Sequence, residues 1–285
     1  AGGFAHSLII SKALAGGFAY SWLCACGDGE RGRLGLALQD GETQVLAPRR
    51  VDVAAQPREV SASGGMSLLL DANGAVWSWG LSYQGRDQSS PSDRPGRLGS
   101  IASTRILQVS AGRHHALLLT SSGGVLAFGN NSGHELGTGN RADCYLPTAV
   151  ARFSSSAGCR AIEVSAGDYH SSAVDETGAL WTWGSGTNGK LGHGDGGEGS
   201  SWQGSNWPIS ARVPKRVDAL AEVRMRHVCA GSRHTLAVSS DGRLFTWGGG
   251  SKGKLGHGSV DEVLFPEEVV LIHSQRVRRQ FYDTR

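Results

Sequence analysis

Histidine is the residue type whose abundance first suggests chemistry, because ten imidazoles in a chain of 285 residues could bind metal or transfer protons. Six of them recur at equivalent places in a repeating sequence: His6, His115, His170 and His234 at one place, and His193 and His257 at another. Equivalent places on packed sheets lie about 10 Å apart, too far for side chains to meet at a zinc ion with bonds of about 2 Å. The pattern therefore predicts no metal site, and predicts that each histidine fixes a loop by hydrogen bonding within its own repeat.

The five cysteines form no recognisable redox or zinc motif. Cys24 and Cys26 are separated by one residue instead of the two of a C-x-x-C pair, and the other three are scattered. Their odd number and close spacing do not fit a disulfide framework either. We expect the cysteines to serve as small buried apolar side chains. We also expect the protein to occupy an intracellular, reducing compartment, with nucleus, cytoplasm and cytoskeleton or flagellum all open.

Segments of the form G-x-L-G-x-G are the third feature that could do chemistry, because phosphate-binding loops are also rich in glycine. A Walker loop needs Gly-Lys followed by Ser or Thr at the start of a helix, whereas Lys190 and Lys254 precede Leu-Gly in a strand-rich context. Turn geometry explains these glycines better. The sequence also contains no nucleophile elbow and no zincin motif. We therefore predict no catalytic residue, no cofactor and no enzymatic activity.

The elements that position these residues belong to an internal repeat. Four segments align without a gap: Val60 to Gly80, Val109 to Gly129, Val164 to Gly184 and Val228 to Gly248. A weaker first copy runs from Ala1 through Gly27 to Val51. The closing glycines recur about every 55 residues, a period typical of propellers and other repeat proteins. The predicted repeats are residues 1–59, 60–108, 109–163, 164–227 and 228–273, followed by a basic C-terminal strand or tail at 274–285.

Each repeat has the pattern of short β-strands. Large and small side chains alternate before the closing glycines, as in Trp181-Thr182-Trp183, which indicates a strand with one face against a core. Two-residue turns such as Asn73-Gly74 precede these strands, and helical periodicity is absent from the sequence. Such a unit fits a four-stranded sheet, and sheets of this kind repeated around an axis form an all-β propeller. His6, His115, His170 and His234 with Gly80, Gly129, Gly184 and Gly248 are its predicted structural positions.

The repeats resemble those of the regulator of chromosome condensation family. That unit reads A-G-x-x-H, then W-G, then G-x-L-G-x-G and P-x-x-V, and the copies that begin at Ala111, Ala166 and Ala230 match it throughout. The second copy departs at Ser63 and Met66, and the first has Cys26 in place of the tryptophan. The resemblance implies a seven-bladed propeller. Because the chain begins with Ala and shows five units, we expect part of a larger ring, with a closed five-unit ring as the alternative.

Two irregular surfaces differ between repeats and are therefore candidates for partner binding. An insertion of about twelve residues in the fourth copy lies within Asp195 to Ser210 and carries Trp202 and Trp207, aromatic anchors on an adaptable loop. The alternative is that both rings fold back over the edge of the repeat. The polar stretch Arg86 to Arg97 offers Arg86, Asp87 and Arg94 as contacts, or is simply a solvated loop.

Charge and hydropathy restrict the partner class. The net charge of +3 equals that of the last ten residues, so the body of the chain is neutral and direct nucleic-acid binding is not expected. No apolar run is long enough to cross a membrane. The favoured function is a non-enzymatic scaffold for protein–protein interaction. The resemblance also implies an alternative, guanine-nucleotide exchange on a Ran-like small GTPase, for which Asp168 and His170 match GTPase-contacting positions while Arg113 and Ser232 depart from them.

Overall fold

A computed structural model of the chain describes residues 6–15, 18–39, 41–80, 92–154, 157–194 and 210–270. Over these residues the chain folds into five consecutive antiparallel sheets, with three strands described in the first and four in each of the others. The strands are β1 His6–Ala15, β2 Phe18–Asp28 and β3 Gln44–Val51; β4 Pro57–Ser63, β5 Met66–Asp71, β6 Val76–Gly80 and β7 Ser92–Arg97; β8 Ile106–Ala111, β9 His115–Thr120, β10 Val125–Gly129 and β11 Cys144–Ala149; β12 Ala161–Ala166, β13 His170–Asp175, β14 Leu180–Ser185 and β15 Ser210–Arg216; β16 Met225–Ala230, β17 His234–Ser239, β18 Leu244–Gly248 and β19 Val263–Glu268.

Helical structure in the described residues is limited to single 3-10 turns between strands. They lie at Glu30–Gly32, Gly99–Ile101, Ala151–Phe153, Thr187–Gly189, Asp218–Leu220 and Ser251–Gly253. Within the described residues no helix has the length and apolar character needed to cross a membrane.

In the second, third and fourth sheets the second strand is buried on both faces. All six residues are buried in β5, β9 and β13, because each of these strands lies between the preceding and the following sheet. This explains why β9 reads as a continuous run, HALLLT, where a half-exposed strand would alternate. The outermost strands are exposed and contain Pro48, Pro147, Pro214 and Pro266, which suits an edge position where no ladder N–H is needed.

The tight turns between the second and third strands are fixed by side-chain acceptors. In the fourth sheet, Asp175 Oδ1 accepts hydrogen bonds from the backbone N–H groups of Thr177 and Ala179 at 2.9 and 3.0 Å, and Asp175 Oδ2 accepts one from Trp181 Nε1 at 2.8 Å. Asp71 makes the corresponding backbone contacts in the second sheet. These residues close each hairpin from within, so local sequence determines its register.

The core consists of apolar layers between successive sheets. Trp79 of the second sheet packs with Leu8 and Leu23 of the first, and Trp183 of the fourth packs with Leu117 of the third. Extensive packing joins each sheet to the next, from the first to the fifth. The predicted all-β architecture of repeated sheets is confirmed. The predicted repeat boundaries Val60, Val109, Val164 and Val228 fall inside the innermost strands β4, β8, β12 and β16. The predicted basic tail at 274–285 lies outside the described residues, and the choice between a closed ring and part of a larger one stays a prediction.

Candidate functional site

The recurring histidines lie at the junctions between sheets. At the junction of the third and fourth sheets, His115 Nε2 lies 2.8 Å from Ser171 Oγ. The same contact joins His6 to Ser67 and His170 to Thr235, each at 2.8 Å, across the first and fourth junctions. The prediction that each histidine fixes a loop within its own repeat is therefore wrong for His6, His115 and His170. The side chain reaches the next sheet because residues at alternate positions of a strand buried on both faces point towards the neighbouring sheet.

The hydroxyl that meets each histidine continues the hydrogen bonding to a glycine-rich loop. Ser171 Oγ donates to the carbonyl of Glu135 at 2.7 Å, and Trp183 Nε1 donates to the same carbonyl at 2.8 Å. Because the single hydroxyl proton is used for that bond, the Nε2 atom of His115 carries the proton that the hydroxyl accepts. Equivalent bonds converge on the carbonyls of Arg33 and Lys190. We call the three side chains at each such junction, the histidine, the Ser or Thr and the tryptophan, the junction triad. The loop carbonyl accepts hydrogen bonds from the last two of them.

The G-x-L-G-x-G loops are shaped to receive the indole ring of the next sheet. Gly137 has a φ of +67°, and a Cβ built on it would lie 2.8 Å from Trp183 Nε1. A side chain at this position would therefore clash with the ring as well as strain the backbone. The predicted turn geometry is confirmed, and the loop has the further role of packing one sheet on the next.

Burial keeps the junction histidines neutral. It lowers the pKa of His6 to about 4 and that of His115 to about 3, and it lowers the pKa of His170 well below the ordinary value. In the part of the chain that the structure describes, the Nδ1 atom of each of these rings is buried without a hydrogen-bond partner. A protonated ring would bury a charge with no acceptor, so these imidazoles are structural groups and do not exchange protons near neutral pH.

One junction lacks the polar triad altogether. Between the second and third sheets, Met66 replaces the histidine, Ala116 the hydroxyl residue and Phe128 the tryptophan. All three are completely buried and belong to one apolar cluster. The histidine, hydroxyl residue and tryptophan that hydrogen-bond at the other junctions are thus all replaced by apolar residues here. None of these three side chains therefore buries an unpaired donor or acceptor.

The second recurring histidine does act within its own repeat. His193 Nε2 lies 3.0 Å from Thr182 Oγ1, and His257 Nε2 lies 2.8 Å from Thr246 Oγ1. Each pair ties the glycine-rich loop to the third strand of its own sheet. Within the described residues no group of three His, Cys, Asp or Glu side chains is placed to hold a metal ion, and all five cysteines are free thiols.

The innermost strands are joined by side chains that act as acceptors for the next strand. Glu163 Oε2 accepts a hydrogen bond from the backbone N–H of Val228 at 3.0 Å, and Gln108 occupies the same place one sheet earlier, where its amide bonds both N–H and C=O of Val164. Burial raises the pKa of Glu163 and of Glu59, the equivalent residue in the second sheet. These groups bridge neighbouring sheets through their innermost strands.

The two x places of the A-G-x-x-H turns differ between repeats. We define the turn face by the variable residues of three such turns: Arg113, His114, Asp168, Tyr169, Ser232 and Arg233. Loops after the third strands meet these turns, since Asn130 N donates to His114 O at 2.8 Å and Ser185 N donates to Tyr169 O at 2.9 Å. The turn face is therefore held by backbone bonds while its side chains are left to vary.

One cross-sheet pair orders part of the turn face. Arg113 Nη1 donates to the Tyr169 hydroxyl at 3.0 Å, and the guanidinium lies 5.7 Å from the centre of the tyrosine ring. Both side chains are exposed, and Asp168 beside them is half-buried. Tyrosine and arginine are both enriched at protein–protein interfaces. Sequence reasoning identified Asp168 but missed this pair, whose only signal was that x-x varies within the A-G-x-x-H turn.

The predicted site residues fall into three groups. Trp202, Trp207, Arg86 and Asp87 lie outside the described residues. Arg94 is exposed on the outermost strand β7. His170 is fully buried in a junction triad, so this structure does not present it to a partner, whereas Asp168 reaches the turn face. The described part of the chain therefore brings Asp168 together with Arg113 and Tyr169, and separates it from His170.

Comparisons with known proteins point to one family. A family model described as an RCC1-like domain matches residues 3–281. The ultraviolet-B receptor UVR8 of Arabidopsis thaliana is 32% identical over 282 residues, which cover 94% of this chain and 56% of UVR8. Human E3 ubiquitin-protein ligase HERC2 is 30% identical over 261 residues, covering 90% of this chain and 5% of HERC2. The chain thus spans little more than half of UVR8 and a small part of HERC2.

Solved structures show the same fold. Human WBSCR16 superimposes with a TM-score of 0.76 at 22% identity, covering 94% of this chain and 66% of that one. Yeast RCC1 (Prp20), solved with Kap60, superimposes with a TM-score of 0.56 at 18% identity, covering 96% of this chain and 74% of that one. The sequence-based resemblance to chromosome-condensation repeats is confirmed.

Proposed function

The chain belongs to the RCC1-like domain family, and from that premise we propose that it is a non-enzymatic scaffold that binds other proteins through variable loops on a rigid repeat framework. One observation carries the proposal. The recurring histidine, hydroxyl and indole groups of the triads bond within the junctions between sheets. The turn-face residues Arg113, Tyr169, Ser232 and Arg233 instead vary between repeats and are exposed. A surface of this composition, held by backbone hydrogen bonds, can present mixed charge and aromatic area without reorganising.

Two surfaces are candidates for the partner. Arg113 and Tyr169 form an ordered pair on the turn face. Trp202 and Trp207 would supply aromatic anchors in the insertion of the fourth repeat, and Arg86, Asp87 and Arg94 would add a polar surface in the second. The chemistry of the first surface suits a folded protein with charges of both signs.

Affinity capture with matched variants tests the scaffold function. We expect Arg113→Ala with Tyr169→Ala, or Trp202→Ala with Trp207→Ala, to lose captured proteins while the melting temperature stays unchanged. Glu176→Ala is the control, because this exposed residue lies in the turn between the second and third strands, at the other end of the sheet. Equal capture by all variants would refute both surfaces, and loss of capture together with stability would assign the residues a structural role.

Guanine-nucleotide exchange is the second candidate function. Yeast Prp20p is a structural relative whose binding properties to Gsp1p and histones have been characterised. In this chain Asp168 lies on the turn face, where a partner could contact it. Exchange needs no covalent chemistry, since a partner that prefers the nucleotide-free GTPase lowers the affinity of that GTPase for nucleotide. Release of a fluorescent GDP analogue from Ran at substoichiometric amounts of this chain would establish exchange, and an unchanged release rate would reject it.

A further inference from the structure

A cleft lined by two arginines lies at the end of the second sheet opposite the turn face. It has a volume of about 160 Å³ and is formed by the Asn73-Gly74 hairpin turn, the end of β7 and the connection that leads to β8. Arg97 and Arg105 both line it, and both are exposed. In the part of the chain that the structure describes, neither guanidinium makes a hydrogen bond or an ion pair.

Backbone pairing and packing hold the two arginines at the cleft. Arg97 lies in β7 opposite Trp77 of β6, so the strand ladder fixes where its side chain begins. Arg105 precedes β8, and its aliphatic stem packs on Gly74, where a Cβ would lie 2.8 Å from Arg105 Cγ. The next residue, Ile106, donates its backbone N–H to the Gly74 carbonyl at 3.1 Å. A ligand would therefore meet two guanidinium groups whose stems are positioned before it binds.

No acidic side chain of the cleft neutralises these charges. None of the described residues that line the cleft is acidic. The neighbouring Asp71 is buried, and its Oδ1 atom accepts the backbone N–H groups of Asn73 and Ala75, both at 2.9 Å. The lining residues Ser103 and Thr104 add hydroxyl groups. The cleft therefore offers two positive charges and further hydrogen-bond donors to an external anion.

The fourth repeat contains the same connection with acidic residues inside it. Val217 to Met225 aligns with Leu98 to Ile106 without a gap, and each segment has a 3-10 turn at the same place. Both repeats keep the two arginines, and the fourth has two acids where the second has small uncharged residues. The equivalent pairs are Arg97 and Arg216, Arg105 and Arg224, Gly99 and Asp218, and Ser103 and Glu222. An external anion in the second repeat would supply the negative charge that the fourth repeat carries in its own sequence.

The third repeat pairs its arginines within the chain. The guanidinium of Arg152 lies 4.2 Å from the centre of the Trp181 ring. Arg160, the equivalent of Arg105, has its Nε atom 3.9 Å from Glu176 Oε2. Of the second, third and fourth repeats, the second is therefore the one whose arginines at this end are left for a ligand.

We propose that the cleft of Arg97 and Arg105 binds a phosphate monoester as its dianion. Two guanidinium groups match the charge of about −2 that a monoester carries at neutral pH, and each can donate two parallel hydrogen bonds to phosphate oxygens. A phosphodiester or a carboxylate carries a single charge and would balance only one of the two arginines. Ser103, Thr104 and Asn73 supply hydroxyl and amide donors for the remaining oxygen. The cleft lies away from the turn face, so this inference is independent of the proposed function.

Calorimetric titration of the full chain at pH 7.5 and low salt tests the ligand class. The probes are inorganic phosphate, dimethyl phosphate, and a capped Gly-Gly-Ser-Gly-Gly peptide with and without a phosphate on its serine. We expect a dissociation constant of about 1 mM or tighter for inorganic phosphate or the phosphopeptide, and binding at least about tenfold weaker for dimethyl phosphate. Tighter binding of the phosphopeptide than of inorganic phosphate assigns the ligand to a phosphorylated side chain, and the reverse order assigns it to a small phosphate compound.

Matched variants locate the binding in the cleft. Arg97→Gln with Arg105→Gln should weaken it by at least about tenfold, because charged hydrogen-bond donors are lost. The control, Arg216→Gln with Arg224→Gln, removes the equivalent arginines of the fourth repeat and should leave binding unchanged. Ser103→Glu keeps both arginines of the cleft but introduces the carboxylate that Glu222 supplies in the fourth repeat, so it should also weaken binding. Circular dichroism checks that each variant is folded.

Four results would overturn the proposal. They are no saturable binding of inorganic phosphate or the phosphopeptide at up to about 10 mM, equal binding of dimethyl phosphate, binding that survives loss of both cleft arginines, and equal weakening by the control variant. If Arg97→Gln with Arg105→Gln does not fold, Ser103→Glu decides in its place, and unchanged binding by that variant rejects the site.

Discussion

The junction between the third and fourth sheets allows the matching of histidine with hydroxyl to be measured directly. His115 and Ser171 are both fully buried, and their contact of 2.8 Å is part of a continuous path to the carbonyl of Glu135. The perturbation is a double-mutant cycle of His115→Met and Ser171→Ala. The double variant reproduces two of the three residues of the natural apolar junction formed by Met66 and Ala116.

The expected magnitudes follow from which polar atoms lose their partners. Ser171→Ala leaves Nε2 of His115 buried and unpaired beside an Nδ1 that already has no partner, so we expect a loss of about 2–3 kcal/mol in the free energy of unfolding. His115→Met leaves the hydroxyl bonded to the carbonyl and should cost about 1 kcal/mol. The carbonyl of Glu135 keeps the Trp183 donor in every variant. The double variant should therefore cost about 1–2 kcal/mol less than the sum of the single changes.

Urea unfolding at pH 7.5, followed by tryptophan fluorescence, measures the cycle from the midpoints and the m-values. The control pairs His115→Met with Ser67→Ala, which lies in another junction, so these two changes should add within about 0.5 kcal/mol. Additivity of His115→Met with Ser171→Ala to the same precision would refute the argument, because it would mean that the hydroxyl does not serve the imidazole.

Three further predictions concern single positions. Gly112→Ala should destabilise the chain by about 2 kcal/mol or more in urea unfolding, because its Cβ would lie 2.4 Å from the carbonyl of Gly167, whereas Gly99→Ala, which meets nothing within 4 Å, should be nearly neutral. Lowering the pH from 7.5 to 5 should reduce stability, because His115 has a pKa of about 3 in the folded chain whereas the unfolded histidine binds a proton below about pH 6.5. His115 therefore accounts for a loss of about 2 kcal/mol in the free energy of unfolding at pH 5, which carboxyls with raised pKa partly offset. Replacement by His115→Met should remove that share of the pH dependence of the urea midpoint. A profile unchanged by His115→Met would contradict the assignment. Glu163→Gln should leave stability at pH 7.5 within about 0.5 kcal/mol, since Gln makes the same bridge in the preceding sheet, whereas Glu163→Ala should lose about 1–2 kcal/mol; equal losses would show that the acceptor is unimportant.

Much of the fold was predictable because each repeat carries its own local signals. Alternating side chains marked the third strands, and Asn73-Gly74 with its equivalents marked the hairpin turns. The glycine-rich loops were correctly interpreted as turns. The candidate site was predicted less well, since Trp202 and Trp207 lie outside the described residues and the Arg113–Tyr169 pair was missed. The two residues belong to different repeats. Alignment of the repeats identifies equivalent positions, but it does not show which residues of neighbouring repeats are in contact.

The sequence by itself determined the repeat, its strands and turns, and the family, because these depend on residue order within one unit and on backbone preferences that act over a few residues. Tertiary structure alone decided the role of the histidines at the junctions between sheets. Seen in one repeat, His115 could bond only its own loop, but the strand that carries it is buried on both faces, and its imidazole reaches Ser171 of the next sheet. The coordinated replacement by Met66, Ala116 and Phe128 has a physical reason only when the two sheets are packed, because an orphaned polar atom exists only in a core that excludes water.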